Sequence, residues 1–311
     1  MKKLGIFGRG GDPIATHLEG KLRARGAQVL PLDLSGLGAG SPITWDGEEW
    51  LYEGEALSEC HAFFLRKIPA ETVLLAAPEV TATAELWYRN ALLAKERAHV
   101  AQGLVMDLEL AGKRVINGVL NVSLYDQKPL QLAAFKRLGL RIPRTLITNF
   151  PAAVKAFVQD VGEVIYKPTA GGAETQVVTP EALGRISAIA HAPVIFQERI
   201  RGPDIRVTLV DGRIISSVEL PTEAEVDYRA DTTYQRGGQR YVAHALPSEI
   251  ASQCILAAKS CGQILSGVDL KRTASGEYVF LEANSSPVYL DIELKTGAPI
   301  TDAIADALLR D

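Results

Sequence analysis

Residues 267–287, GVDLKRTASGEYVFLEANSSP, hold the side chains best suited to chemistry. Asp269 lies on one strand-like run, and Glu282 and Asn284 lie on the next, with Ser275-Gly276 as the turn between them. Side chains alternate along a strand, so Glu282 and Asn284 share a face, and the hairpin folds Asp269 back opposite them. Two carboxylates and a carboxamide are hard oxygen donors. They suit Mg²⁺, which leaves coordination places for water and substrate phosphates. Two bare carboxylates at that spacing would repel, and one would have to hold a proton. The competing reading is a solvated edge strand with scattered polar residues. Glu282 argues against it, because it interrupts the apolar run Tyr278-Val279-Phe280-Leu281. Zinc is disfavoured, since no His or Cys lies near in sequence.

The cations come next. Lys167 ends a strand-like run and precedes Pro168 and a loop containing Gly171 and Gly172. Glycine lets backbone N–H groups approach phosphate oxygens closely. Lys128 falls in the first turn of a helical stretch, where a positive charge opposes the helix dipole. That placement hints at a ligand or a nearby acid. Arg206, Arg229 and Arg236 lie in the same half as the carboxylates, and guanidinium forks match phosphate and carboxylate geometry. A solvated arginine loop is an equal alternative for Arg236-Gly237-Gly238.

Other constellations are absent or incomplete. The five histidines are scattered, and neither a GxSxG elbow nor a GxxxxGK[ST] phosphate loop occurs. Gly8, Gly10 and Asp33 imitate a dinucleotide fingerprint, but Pro13 stands where the third glycine belongs. Cys60, Cys254 and Cys261 form neither CxxC nor an even set, so they fit buried thiols in a reducing cytoplasm. A net charge of −4 disfavours nucleic acid as the main partner. No apolar stretch reaches the roughly 20 residues that span a bilayer, so a membrane is not expected either.

These residues need elements to hold them. The 311 residues allow about two domains with real cores. The start is α/β: Leu4–Phe7, a helix to about Arg25, then a strand at Gln28–Leu32. Residues 82–103 are expected to form a helix with the stripe Leu86, Trp87, Leu92, Leu93 and Val100. Asp126 is expected to cap a helix ending at Gly139, Thr179 one starting at Pro180, and Ser248 one carrying Cys254, Ala257, Ala258 and Cys261. Asp211-Gly212 marks a hairpin between Ile205–Val210 and Arg213–Val218.

The ordered set of Lys128, Lys167-Pro168, a glycine-bearing loop, QERIRGPDIRV (197–207), Asp269 and Glu282-x-Asn284 resembles the ATP-grasp superfamily over residues 115–311. D-alanine:D-alanine ligases show the same thirteen-residue step from Asp to Glu, but carry an arginine where this chain has Gly267. Segments KPLQLAAFKRLGLRIPRTLITN, DIRV, VDYRADTTYQRGG and FLEANSSPVYLDIE are most similar to RimK-type glutamate ligases and graspetide (microviridin-type) peptide macrocyclases. The resemblance implies an α/β (α+β) ATP-grasp fold. It divides into a Rossmann-like accessory domain (1–115), a small central domain (116–198) and a C-terminal antiparallel-sheet domain with the metal site (199–311). It implies an ADP-forming carboxylate–amine or carboxylate–hydroxyl ligase using ATP and Mg²⁺, with Mn²⁺ as the alternative. The substrate would be a small molecule or peptide, and a homodimer is one implied assembly. Lys128, Lys167, Gly171 and Gly172 would hold phosphates. Gln197, Glu198 and Ile200 would form the adenine hinge, and Asp204 would take the ribose. Asp269, Glu282 and Asn284 would bind metal. Arg206 would take the role of the arginine missing at Gly267, and Arg206 and Arg229 would face the transferred phosphoryl group, with Arg236 toward substrate. A catalytically silent nucleotide- or peptide-binding module is the non-enzymatic alternative.

Overall fold

A computed structural model of the protein describes residues 1–8, 10–34, 42–66, 84–120, 127–169, 174–221 and 238–310, the side chains of 84–87 excepted. The chain forms two compact units.

The first unit is built on a parallel sheet of order β2-β1-β6-β7. Its elements are β1 (Lys3–Phe7), α1 (Pro13–Ala24), β2 (Gln28–Leu32), β3 (Ile43–Trp45), β4 (Trp50–Tyr52), β5 (Glu55–Ala56), β6 (Ala62–Leu65), α2 (Ala84–Leu110) and β7 (Arg114–Ile116). Strands β3–β5 form a separate antiparallel meander. Helix α1 starts where Asp12 accepts from the N–H groups of Ile14 and Ala15, with Pro13 in the first turn. The α2 stripe differs from expectation. Leu92, Leu93 and Val100 are exposed, and Ala98, Ala101, Leu104, Val105 and Leu108 make the buried face. The error came from following the bulkiest residues; alanines let the helix approach the sheet closely. Leu86 and Trp87 lie outside the described side chains.

The second unit begins with α3 (Lys128–Arg137). Its N-cap residue is Gln127, with no side-chain cap; the expected Asp126 lies outside the described residues. There follow β8 (Thr145–Thr148), α4 (Pro151–Val161), β9 (Val164–Pro168), β10 (Gln176–Val177), α5 (Pro180–Gly184) and β11 (Val194–Glu198). These strands form an antiparallel sheet of order β10-β9-β11-β8, backed by Val154 of α4 against Val164 and Phe196. Thr179 caps α5 as expected, accepting from Ala182 N–H at 3.2 Å.

The rest of the unit is a five-stranded antiparallel sheet of order β14-β13-β12-β15-β16. It comprises β12 (Asp204–Val210), β13 (Arg213–Leu220), β14 (Val242–Ala243), β15 (Leu265–Arg272) and β16 (Tyr278–Asn284). Asp211 and Gly212 both have positive φ, as a type I′ hairpin turn demands. Helix α6 (Ser248–Ser260) lays Cys254, Ala257 and Ala258 on one sheet face against Ile205, Val207, Val268 and Phe280. Its N-cap is Pro247, and Ser248, expected as the cap, is its first helical residue. Helix α7 (Leu290–Thr296) follows. Helix α8 (Ile300–Leu309) then returns to the first unit, packing on α1 and β6. Packing thus groups Pro299–Asp311 with the first unit. No described helix is long and apolar enough to cross a membrane.

Candidate ligase site

The face of the five-stranded sheet opposite α6 carries Arg206, Asp269, Glu282 and Asn284. Arg206 on β12 pairs with Asp269 on β15, and Asp269 pairs with Glu282 on β16. The next rung sets Thr208, Gly267 and Asn284 in line. Directly opposed residues share a face, so the expected convergence of Asp269, Glu282 and Asn284 is present. A β-bulge produces it. Two residues of β16, Leu281 and Glu282, stand against Asp269. Phe280, on the core face, and Glu282 would share a face in a regular strand; the extra residue puts Glu282 opposite Asp269 while Ala283 returns to the core.

Each carboxylate has a cationic partner. Arg206 grips Asp269 through Nε and Nη2, the second contact at 2.9 Å. Lys128, in the first turn of α3, donates to Glu282, which identifies the nearby acid its placement suggested. Burial pushes Asp269 up, to about 6, against the pull of Arg206, with Glu282 and Asp204 adding to the rise. Burial acts the same way on Glu282, but Lys128 first, then Lys167 and Arg206, hold its carboxyl below the ordinary value. Asp269, Glu282 and Asn284 thus stand beside Arg206 of the same sheet, with Lys128 reaching Glu282 from α3 and Lys167 of β9 acting on it electrostatically. Asn284 Oδ1 accepts from Ser286 N–H at 3.0 Å, which fixes its oxygen. Two carboxylates and a carboxamide with oxygens of fixed direction fit Mg²⁺, with open places for water and phosphate. Among the described residues no group of three His, Cys, Asp or Glu side chains could hold a metal ion, as a zinc-type site would require.

The other expected residues are distributed as follows. Lys167 sits on β9 opposite Ile195 of β11. Gln197 is buried and turns its amide to Thr145 Oγ1 at 3.0 Å, so its side chain is committed within the sheet. Glu198 accepts from Arg144 N–H at 3.2 Å, and Ile200 follows the end of β11. Asp204 pairs with Lys271 at 3.0 Å on the carboxylate face. Gly171, Gly172, Arg229 and Arg236 lie outside the described residues. Sequence reasoning missed Gln131, buried on α3, whose amide meets the backbone of Ala283 between Glu282 and Asn284. Its signal was present: Gln131 is a polar residue on the buried stripe of Leu132, Ala134 and Phe135, three residues after Lys128.

The dinucleotide alternative fails in the first unit. Asp12 occupies the start of α1, where a pyrophosphate would sit, and is joined there by Arg66 at 3.3 Å. Asp33 turns its carboxylate onto Gly10 N–H at 3.1 Å.

The RimK-like ATP-grasp domain model matches residues 126–308. A "Probable alpha-L-glutamate ligase" of Teredinibacter turnerae is 30% identical over 236 residues, covering 71% of this chain and 77% of its own. The solved structure of the ATP-grasp ligase PsnB, complexed with a minimal precursor, superimposes with TM-score 0.86 at 30% identity, covering 99% of this chain and 98% of PsnB. Another PsnB structure contains Mg and ADP. The macrocyclase MdnC of Microcystis aeruginosa, bound with precursor peptide MdnA, shares the fold at TM-score 0.81 and 23% identity, with both chains fully covered. With the mixed parallel and antiparallel sheets, these matches make the chain a member of the RimK-like ATP-grasp family and an ADP-forming ligase.

Proposed function

We propose that this protein is an ATP- and Mg²⁺-dependent ligase that activates a carboxylate as its acyl phosphate and joins it to an amine or hydroxyl. The observation that carries the reading is the sheet face that brings Asp269, Glu282 and Asn284 together beside Arg206, with Lys128 and Lys167 acting on Glu282 from neighbouring elements. A substrate carboxylate oxygen attacks the γ-phosphorus and ADP leaves. The acceptor then attacks the acyl carbon, phosphate leaves, and the acceptor gives up a proton. No protein nucleophile is needed, so the chain acts by positioning and by neutralising charge. Asp269, Glu282 and Asn284 are assigned to hold Mg²⁺, whose contribution when bound is to offset charge on the phosphate oxygens. Lys128 and Lys167 are assigned to the phosphates, Asp204 to the ribose, Gln197, Glu198 and Ile200 to the adenine strand. Arg206 and Arg229 are assigned to the transferred group, with Arg236 toward substrate.

A second reading narrows the substrate to an acidic peptide that the enzyme cyclises through side-chain ester or amide links. It is supported by coverage. The likeness to PsnB extends over 99% of this chain, first unit included, whereas the family model starts at residue 126. Incubation with ATP, Mg²⁺ and either free glutamate or acidic peptides separates the two. Residue addition raises product mass, and cyclisation removes one water per link. ADP release with neither acceptor class, from protein that binds ATP, would refute both. Glu282→Gln is expected to lower ADP release by about a hundredfold or more while the circular dichroism spectrum stays unchanged.

A further inference from the structure

Among the described residues β16 is the outer strand of its sheet, so backbone groups on its far side meet no described strand. At Ala283 those groups are met by side chains. Gln131 Nε2 donates to Ala283 O at 2.8 Å, and Gln131 Oε1 accepts from Ala283 N–H at 3.0 Å. The glutamine amide thus imitates a neighbouring strand for one residue. Gln263 Nε2 gives Ala283 O a second donor at 3.0 Å, and Ser266 Oγ donates to Gln263 Oε1, fixing that amide's orientation. All of these groups are buried.

The peptide unit so held lies between Glu282 and Asn284. Residues three apart share a helix face, so α3 delivers Lys128 to the Glu282 carboxylate and Gln131 to the next residue's backbone. The Lys128 contact is one of charge, and a metal on Glu282 or a phosphate on Lys128 would compete for it. The Gln131 contact is neutral and keeps its partners when those charges are taken up.

We propose that Gln131 is a positioning residue: its paired hydrogen bonds to Ala283 set the distance and angle between Lys128 and the Glu282–Asn284 donor pair. The proposal rests on the magnesium–nucleotide reading of this face. Groups that orient metal ligands from behind typically change metal affinity by about 10–100-fold when removed.

The test is calorimetric titration of ADP at a series of Mg²⁺ concentrations, with the melting temperature of the ligand-free protein measured alongside. Gln131→Met fills the same space without hydrogen bonds. It is expected to raise the Mg²⁺ concentration that half-supports ADP binding by about tenfold or more. A lowered melting temperature with an unchanged Mg²⁺ half-point would mean that Gln131 only stabilises the fold, and would overturn the proposal. Should Gln131→Met not fold, Gln131→Asn, one methylene too short to reach both groups, is judged by the same half-point. Wild-type ADP binding indifferent to Mg²⁺ would overturn the reading beneath the proposal and the proposal with it; that failure is distinguishable because it shows in the unmutated protein.

Discussion

Gly267 and Arg206 show how one side-chain position can be served from a neighbouring strand. A Cβ built on Gly267 would stand 2.8 Å from Pro287 Cβ and 3.4 Å from Arg206 Nη1. The guanidinium from β12 therefore lies over the space that a side chain at 267 would fill, and it does so while gripping Asp269. Gly267→Ala is expected to destabilise the protein by about 1–3 kcal/mol, as overpacked positions do, and to weaken Mg²⁺-dependent nucleotide binding by displacing Arg206. Thermal melts and ADP titration check both. Glu282 was legible because it interrupts an apolar run, Lys128 because it stands against a helix dipole, and Asp269 and Asn284 because the hairpin and strand alternation bring them beside Glu282. Gln131 was legible only through the buried stripe around it, since a glutamine on a helix ordinarily faces water. The place of Gln197 at the end of a strand was legible but its orientation was not, because sequence does not tell which neighbour an amide will choose.

At the scale of elements, the bulge in β16 does most to build the site. Alternation alone correctly put Glu282 and Asn284 on one face. It also put Phe280 on that face, whereas Phe280 is fully buried beside α6. A bulge leaves no mark in residue types, only a conflict between two halves of a strand that alternate out of phase. Deleting Leu281 would leave Glu282 directly after Phe280, in regular alternation. The deletion is expected to keep Glu282 and Asn284 on the carboxylate face and to preserve Mg²⁺-dependent ADP binding. Deleting Ala283 would swing Asn284 toward α6 and abolish that binding, so paired titrations of the two deletions test the parity argument. Most helix ends were legible within about two residues, but α2 runs on to Leu110, well past the expected residue 103. The α2 stripe was not legible, because burial followed the small residues that permit close packing rather than the large ones.

The molecule as a whole is discontinuous in sequence: Pro299–Asp311 belongs with the first unit. Lys21 and Arg25 at the end of α1 bind Asp302 of α8 at 3.0 and 2.7 Å. Lys21 above all, then Arg25, hold the Asp302 carboxyl below its ordinary value of 3.8. A carboxylate depressed on folding contributes stability that is complete above the unfolded value and fades as pH falls through the folded one. Asp302→Asn should therefore melt earlier than wild type at neutral pH, and the two should converge in acid below pH 3.8. All three tryptophans, Trp45, Trp50 and Trp87, belong to the first unit by chain position, so their fluorescence is the probe chosen for it. A chain stopped before Pro299 is expected to lose the cooperative tryptophan transition at the wild-type midpoint.

That discontinuity also bears on how the protein is made. Domains ordinarily fold in the order in which the ribosome releases them. Here the parallel sheet precedes the carboxylate-bearing unit along the chain, yet the helix that packs on it is translated after every strand of that unit. The earlier-born half must wait, incompletely covered, for the later-born half to finish.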